Sequence, residues 1–206
     1  MKKTVLFISI FIYQISIACS AFFFNGENKI FAKNFDWGFG QGYLIKNNRG
    51  QQKFAYGFRG NNVAGWTSKF GSITFNQVGK EFPYGGMNEK GLVVEQLWLG
   101  NTEYQENSNE TISELEWIQY QLDNYETVDE VINNINNLTI KPVAKIHYFL
   151  ADKKGVSAVI DFVNGKVKID RQKTKFQVIT NESSEDSKKY FEQNKNININ
   201  SRNAFD

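Results

Sequence analysis

Residues 19–37 read CSAFFFNGENKIFAKNFDW. Two apolar, aromatic runs flank Asn25-Gly26-Glu27-Asn28, and an Asn-Gly step between such runs marks a β-hairpin. Folding the chain there brings residues 32–34 back beside Cys19, with Lys33 and Asp36 close by. The segment upstream is different in kind. Lys2 and Lys3, the apolar stretch from Val5 to Tyr13 and the small-x-small triplet Ser16-Ile17-Ala18 have the anatomy of a secretory leader. Residues 1–18 are therefore expected to be a signal peptide and residues 19–206 a single domain, with Cys19 at the new N-terminus after cleavage.

Cys19 is the one cysteine in 206 residues. Exported chains meet oxidising surroundings where cysteines usually pair, and this one has no partner within the chain. Three readings stand open. Cys19 could be a small buried hydrophobe at the start of a strand. It could be lipid-modified, since a small residue before cysteine at a leader's end also suits lipoprotein processing, although Ser16 stands where an aliphatic residue is usual. It could also be a nucleophile, because an N-terminal cysteine carries a thiol and an α-amine on one residue, and the amine can take the thiol proton. His147, the single histidine, lies among strand residues in IHYFLAD and is read as structural. One cysteine and one histidine do not make a zinc site, no acidic loop has EF-hand spacing, and the glycines of DWGFGQG lack the helix a phosphate loop needs.

Composition narrows the partners. The formal charge is +2, and without Lys2 and Lys3 there remain 22 of the 24 basic side chains against 22 acidic ones. That balance leaves no electrostatic footprint for nucleic acid. The 41% apolar and 15% aromatic content fits a globular domain of ordinary size.

Beyond the hairpin, GYLIK, KFAYGF and GSITFNQ read as short strands bounded by turn residues. GGMNEKGLVVEQLWLG reads as a loop leading into a strand. Thr111-Ile-Ser-Glu114 and Thr127-Val-Asp-Glu130 read as capping boxes, each opening a helix. Leu115, Ile118, Leu122 and Tyr125 would line one helix, and Val128, Val131, Ile132 and Ile135 the other. IHYFLAD, VSAVIDFV, KVKID and KFQVITN return to strands, with a turn at Asn164-Gly165, and SSEDSKKYFEQ begins a helix. The Asn-rich segment 194–203 reads as loosely ordered. Strands, then helices, then strands indicate an α+β fold with helices layered on antiparallel sheet.

Taken together, Cys19 after a leader, FAKNFDW, GGMNEKGL, the pair HYFLAD and VSAVIDF, and VITNE resemble the choloylglycine hydrolase and penicillin V acylase family of N-terminal nucleophile hydrolases. The resemblance runs from Cys19 to about Asp186. It implies a four-layer αββα sandwich and hydrolysis of a linear carbon–nitrogen amide bond without a cofactor or metal. It also implies site roles. Cys19 matches the nucleophile, Asp36 the carboxylate that holds the α-amine, Asn88 an oxyanion-hole position and Asn181 a second asparagine near the nucleophile. Lys33 stands where these enzymes usually have arginine, keeping the charge but losing the planar fork. The chain also stops before a segment that carries a family arginine, and Arg202 does not match its pattern, so the C-terminal part of the family domain is expected to be missing. The expected substrate is a small amide with an apolar acyl group, of bile-salt, penicillin V or N-acyl amide type, met outside the cell or in the periplasm. Membrane contact is expected only if Cys19 is lipidated, and a homo-oligomer is left open. The alternative is an inactive or lipid-anchored envelope binding protein on the same scaffold.

Overall fold

The computed structural model describes residues 19–57, 62–107, 109–171 and 173–194. The expected leader, Arg202 and most of the Asn-rich tail lie outside these. The elements are β1 (Ser20–Asn25), β2 (Lys29–Asn34), β3 (Tyr43–Asn47), β4 (Gln52–Phe54), β5 (Gly65–Thr67), β6 (Ser72–Asn76), β7 (Pro83–Asn88), β8 (Val93–Trp98), β9 (Thr111–Ile112), α1 (Glu114–Asn124), α2 (Val128–Asn133), β10 (Thr139–Ile140), β11 (Ile146–Ala151), β12 (Ser157–Val163), β13 (Lys166–Arg171), β14 (Phe176–Ile179) and α3 (Ser184–Asn194).

Local chemistry explains the turns that were expected. β1 and β2 pair from Ser20↔Asn34 to Asn25↔Lys29 around Gly26-Glu27-Asn28. Asn164 and Gly165 both take left-handed φ, 54° and 64°, the geometry of a two-residue hairpin between β12 and β13. Thr127 caps α2 by accepting the Glu130 amide.

Two expectations are corrected. The box that opens α1 is Ser113 with Glu116, each bonded to the other's backbone amide. Thr111 instead belongs to β9, parallel to β10. Residues 85–88 are not a loop but the second half of β7, which pairs with β6 on one side and β8 on the other. Glycine at 86 reflects crowding rather than turning, since a methyl group there would overlap the Ile73 carbonyl and Thr74.

Seven strands form one antiparallel sheet in the order β13-β12-β11-β8-β7-β6-β3, and three form another in the order β14-β1-β2. One face of the large sheet is covered by α1 and α2. Trp117, Ile118, Leu122, Val128 and Val131 pack there on Val94, Tyr148, Leu150 and Ile160. Its other face meets the small sheet, where Ala21, Phe23 and Ile179 pack on Leu97, Phe149, Ala151 and Val159. Helices, large sheet and small sheet thus stack as layers of an αββα sandwich. The outer face of the small sheet exposes Phe22, Ile30, Phe176 and Val178. α3 lies along the β12–β13 edge, tied by Lys168 to Glu185 and by Lys188 to Asp170.

Candidate active site

Cys19 sits at the entry to β1, buried, with its side chain among the apolar residues between the two sheets. Antiparallel register decides its neighbours, because directly opposed residues share a face. Continuing the β1–β2 pairing one residue sets Phe35 opposite Cys19, and Lys33 stands opposite Ala21 on that same face. β14 ends at Ile179 opposite Ala21, so Thr180 and Asn181 follow it toward the end of β1 where Cys19 stands. The hairpin therefore brings Lys33 into the neighbourhood of the thiol, and the far end of the chain brings Asn181.

Asp36 reaches the thiol by its main chain. Cys19 Sγ lies 3.7 Å from the Asp36 carbonyl oxygen, while the residue itself is exposed. Lys33 points inward. Its Nζ donates to Glu95 Oε2 at 3.0 Å and to the Tyr84 carbonyl at 3.2 Å, and lies 4.9 Å from the centre of the Phe35 ring. Burial pushes the Glu95 carboxyl up, and the Lys33 ammonium opposes that shift.

Asn88 does not meet the expectation placed on it. Its side-chain amide donates to the Leu122 and Tyr125 carbonyls, both at 2.8 Å, and its backbone N–H donates to Leu92. Its Oδ1 accepts from the amides of Lys90 and Leu92. Every N–H is committed, so Asn88 has none to give a developing oxyanion. It fastens the β7–β8 turn to the C-terminal end of α1.

His147 is fully buried. Nδ1 is 2.8 Å from Asp161 Oδ1, and Nε2 is 3.0 Å from the Thr180 carbonyl. Both ring nitrogens are engaged, so the imidazole has none to offer the thiol. It pins the residue before Asn181 to the large sheet, and Asp161 adds a second tie by accepting the Ser184 amide at 2.8 Å.

A cavity of about 490 Å³ opens at Cys19, walled by Phe35, Trp37, Phe82, Tyr84 and Trp98. Its far wall is the segment Val143-Ala144, whose amides both donate to the buried carboxylate of Glu114 at 2.9 Å. Burial, and then the charge of Glu114, push the Tyr84 hydroxyl up, so it stays a neutral phenol at neutral pH. Sequence reasoning missed Phe82, Tyr84, Trp98 and Glu95. Glu95 did leave a signal, as a charged residue inside the apolar run VVEQLW. Among the described residues no cluster of three or more His, Cys, Asp or Glu side chains could hold a metal.

Comparisons with known proteins agree with this architecture. The family model of linear amide C–N hydrolases, choloylglycine hydrolase family, matches residues 19–205. A penicillin V acylase of Pectobacterium atrosepticum is 31% identical over 198 residues, covering 81% of this chain and 50% of that protein. The structure of a penicillin V acylase from Agrobacterium tumefaciens superposes with a TM-score of 0.73 at 32% identity, over 85% of this chain and 57% of that one. A conjugated bile acid hydrolase from Clostridium perfringens superposes at 0.69 with 18% identity, again over 85% and 57%, a likeness of fold. The chain thus spans about half the length of the curated relative it matches.

Proposed function

Because the chain belongs to the linear amide C–N hydrolases of the choloylglycine hydrolase family, we propose that it is an exported hydrolase in which Cys19, freed by cleavage after Ala18, attacks the amide carbonyl. The new α-amine takes the thiol proton as sulfur bonds to carbon. The carbon–nitrogen bond then breaks, that proton passes to the departing nitrogen, and a thioester on Cys19 remains. Water attacks the thioester, giving up a proton to the α-amine. The carboxylic acid leaves, and the thiol regains its proton.

Asn181 and backbone amides stabilise the oxyanion in this scheme, while Lys33 and Asp36 organise the thiol and amine. The observation that carries the proposal is the placement of Cys19. It stands at a strand end and opens on an apolar cavity. The aromatic walls suit an apolar acyl group, and the names of the relatives at 31% and 32% identity point to an aryloxyacetyl amide of the penicillin V kind.

Intact mass and N-terminal sequencing of the mature protein test the premise. A free Cys19 terminus is expected, and a retained leader or an acylated Cys19 would overturn the mechanism in favour of an anchored binding protein. With the terminus free, Cys19→Ala should lower hydrolysis of penicillin V at least about 10³-fold. An unaffected variant refutes the nucleophile.

A further inference from the structure

Gln96 is a buried amide with unmet hydrogen-bonding capacity. It lies on β8 directly across from Tyr148 of β11 and is 4% exposed. A carboxamide carries two N–H donors and an acceptor, and among the described residues no side chain or backbone group bonds this one. The buried polar groups around it are all engaged. The Tyr148 hydroxyl donates to the Glu114 carbonyl at 2.8 Å, the Ser113 hydroxyl accepts the Glu116 amide, and the Glu114 carboxylate accepts the amides of Val143 and Ala144. Burying a polar group without a partner costs stability, so an amide left open in this way calls for a reason.

The cavity at Cys19 supplies one. Gln96 lines it together with Cys19, Trp37, Tyr84, Trp98 and Ser113. An acyl group that fills this space shuts Gln96 off from solvent. A wholly apolar group then leaves its N–H groups unpaired, whereas a group with an acceptor in its chain can satisfy one of them. We infer that Gln96 is a specificity-determining residue whose amide N–H donates to an acceptor within the acyl group, which in an aryloxyacetyl amide is the ether oxygen. This deepens the amide-hydrolase proposal and rests on it. The aromatic walls admit the ring, and Gln96 separates an acyl chain that contains oxygen from its all-carbon counterpart.

The probes are penicillin V and its analogue with a methylene in place of the ether oxygen, which share their length and charge. The ratio of their kcat/KM values divides out any general loss of activity or folding. The wild type should favour penicillin V at least about threefold, although the methylene is the more apolar group. Gln96→Met keeps the shape without a donor and should lower the ratio by about tenfold. Gln96→Glu, assayed at pH 8 so that an acceptor replaces the donor, should lower it too. Tyr84→Phe removes another hydroxyl of the same wall and should leave the ratio unchanged whatever it does to the rate. A wild type that takes the analogue equally well, a ratio that neither Gln96 variant moves by about twofold, or a ratio that falls as far in Tyr84→Phe overturns the inference and leaves the hydrolase proposal standing. If the processed protein hydrolyses neither penicillin, the hydrolase proposal falls. Protection of Cys19 against iodoacetamide by phenoxyacetate and by 3-phenylpropanoate, compared in the same variants, then decides the role of Gln96 by the same ratios.

Discussion

On the helix side of the large sheet, Val94, Tyr148, Leu150, Ile160 and Phe162 pack against Trp117, Ile118 and Leu122. One residue along the same strands, on the other side, stand Glu95, His147 and Asp161, all buried. Strand alternation makes both faces, and on β8, β11 and β12 one is largely apolar while the other holds the Lys33–Glu95 ion pair, the His147–Asp161 hydrogen bond and the neighbouring thiol of Cys19. The buried ion pair on the helix side, Lys53 with Asp123 at 2.9 Å, is supplied by β4 and α1 rather than by these strands. The other face keeps its buried acids beside partners, Glu95 beside Lys33 and Asp161 beside His147.

The largest effect should come from the apolar face. Trp117 is 1% exposed and stacks on Tyr148 with ring centroids 4.2 Å apart. Trp117→Ala should lower unfolding free energy by about 3–5 kcal/mol, read from urea denaturation. A cost below about 1 kcal/mol would break the contrast between the two faces. On the other face, Gly85→Ala forces a methyl group into the Glu95 carboxylate and should cost about 1–3 kcal/mol. The same substitution made in a Glu95→Ala background should cost far less, because the overlapping group is gone. Equal costs in the two backgrounds would mean that Gly85 does not exist to admit Glu95.

The two faces also differed in how far the sequence revealed them. Hairpins announced themselves through Asn25-Gly26 and Asn164-Gly165, and at Asn164-Gly165 the reason is the left-handed φ of both residues. The helix start was misplaced by two residues because TISELE satisfies the capping-box pattern twice, at Thr111 with Glu114 and at Ser113 with Glu116. Long-range pairing decides between them, as Thr111 enters β9 beside β10. Gly85 and Gly86 imitated a loop for a similar reason. Their lack of a side chain serves a close approach by Glu95 and β6, which no local pattern encodes. At the site, the positions of Cys19, Lys33 and Asp36 followed from the hairpin. Asn88 was misjudged because an asparagine that fastens a turn to a distant helix end looks, in sequence, like any turn asparagine. β11 is buried throughout, so the period of two that would have sorted its faces is absent there.

The smallest expected effect is a difference in sign between two carboxylates on the same face. Burial alone would push Asp161 up, but the hydrogen bond and charge of His147, with the Ser184 amide, outweigh it and hold the carboxyl below its ordinary value of 3.8. A native state that binds this proton less tightly than the unfolded chain gains stability from it above the ordinary value. It loses that stability as pH falls through the depressed native value. Glu95 is shifted the other way, its carboxyl raised above 4.5 by burial despite Lys33. Its native state holds the proton more tightly, so its contribution is greatest in acid and is lost as pH rises through the raised value. Urea unfolding from pH 7 down to 3 should therefore show the cost of Asp161→Asn shrinking on acidification. The cost of Glu95→Gln should grow over the same range. Parallel trends in the two variants would mean that one of these carboxylates lacks the partner assigned to it.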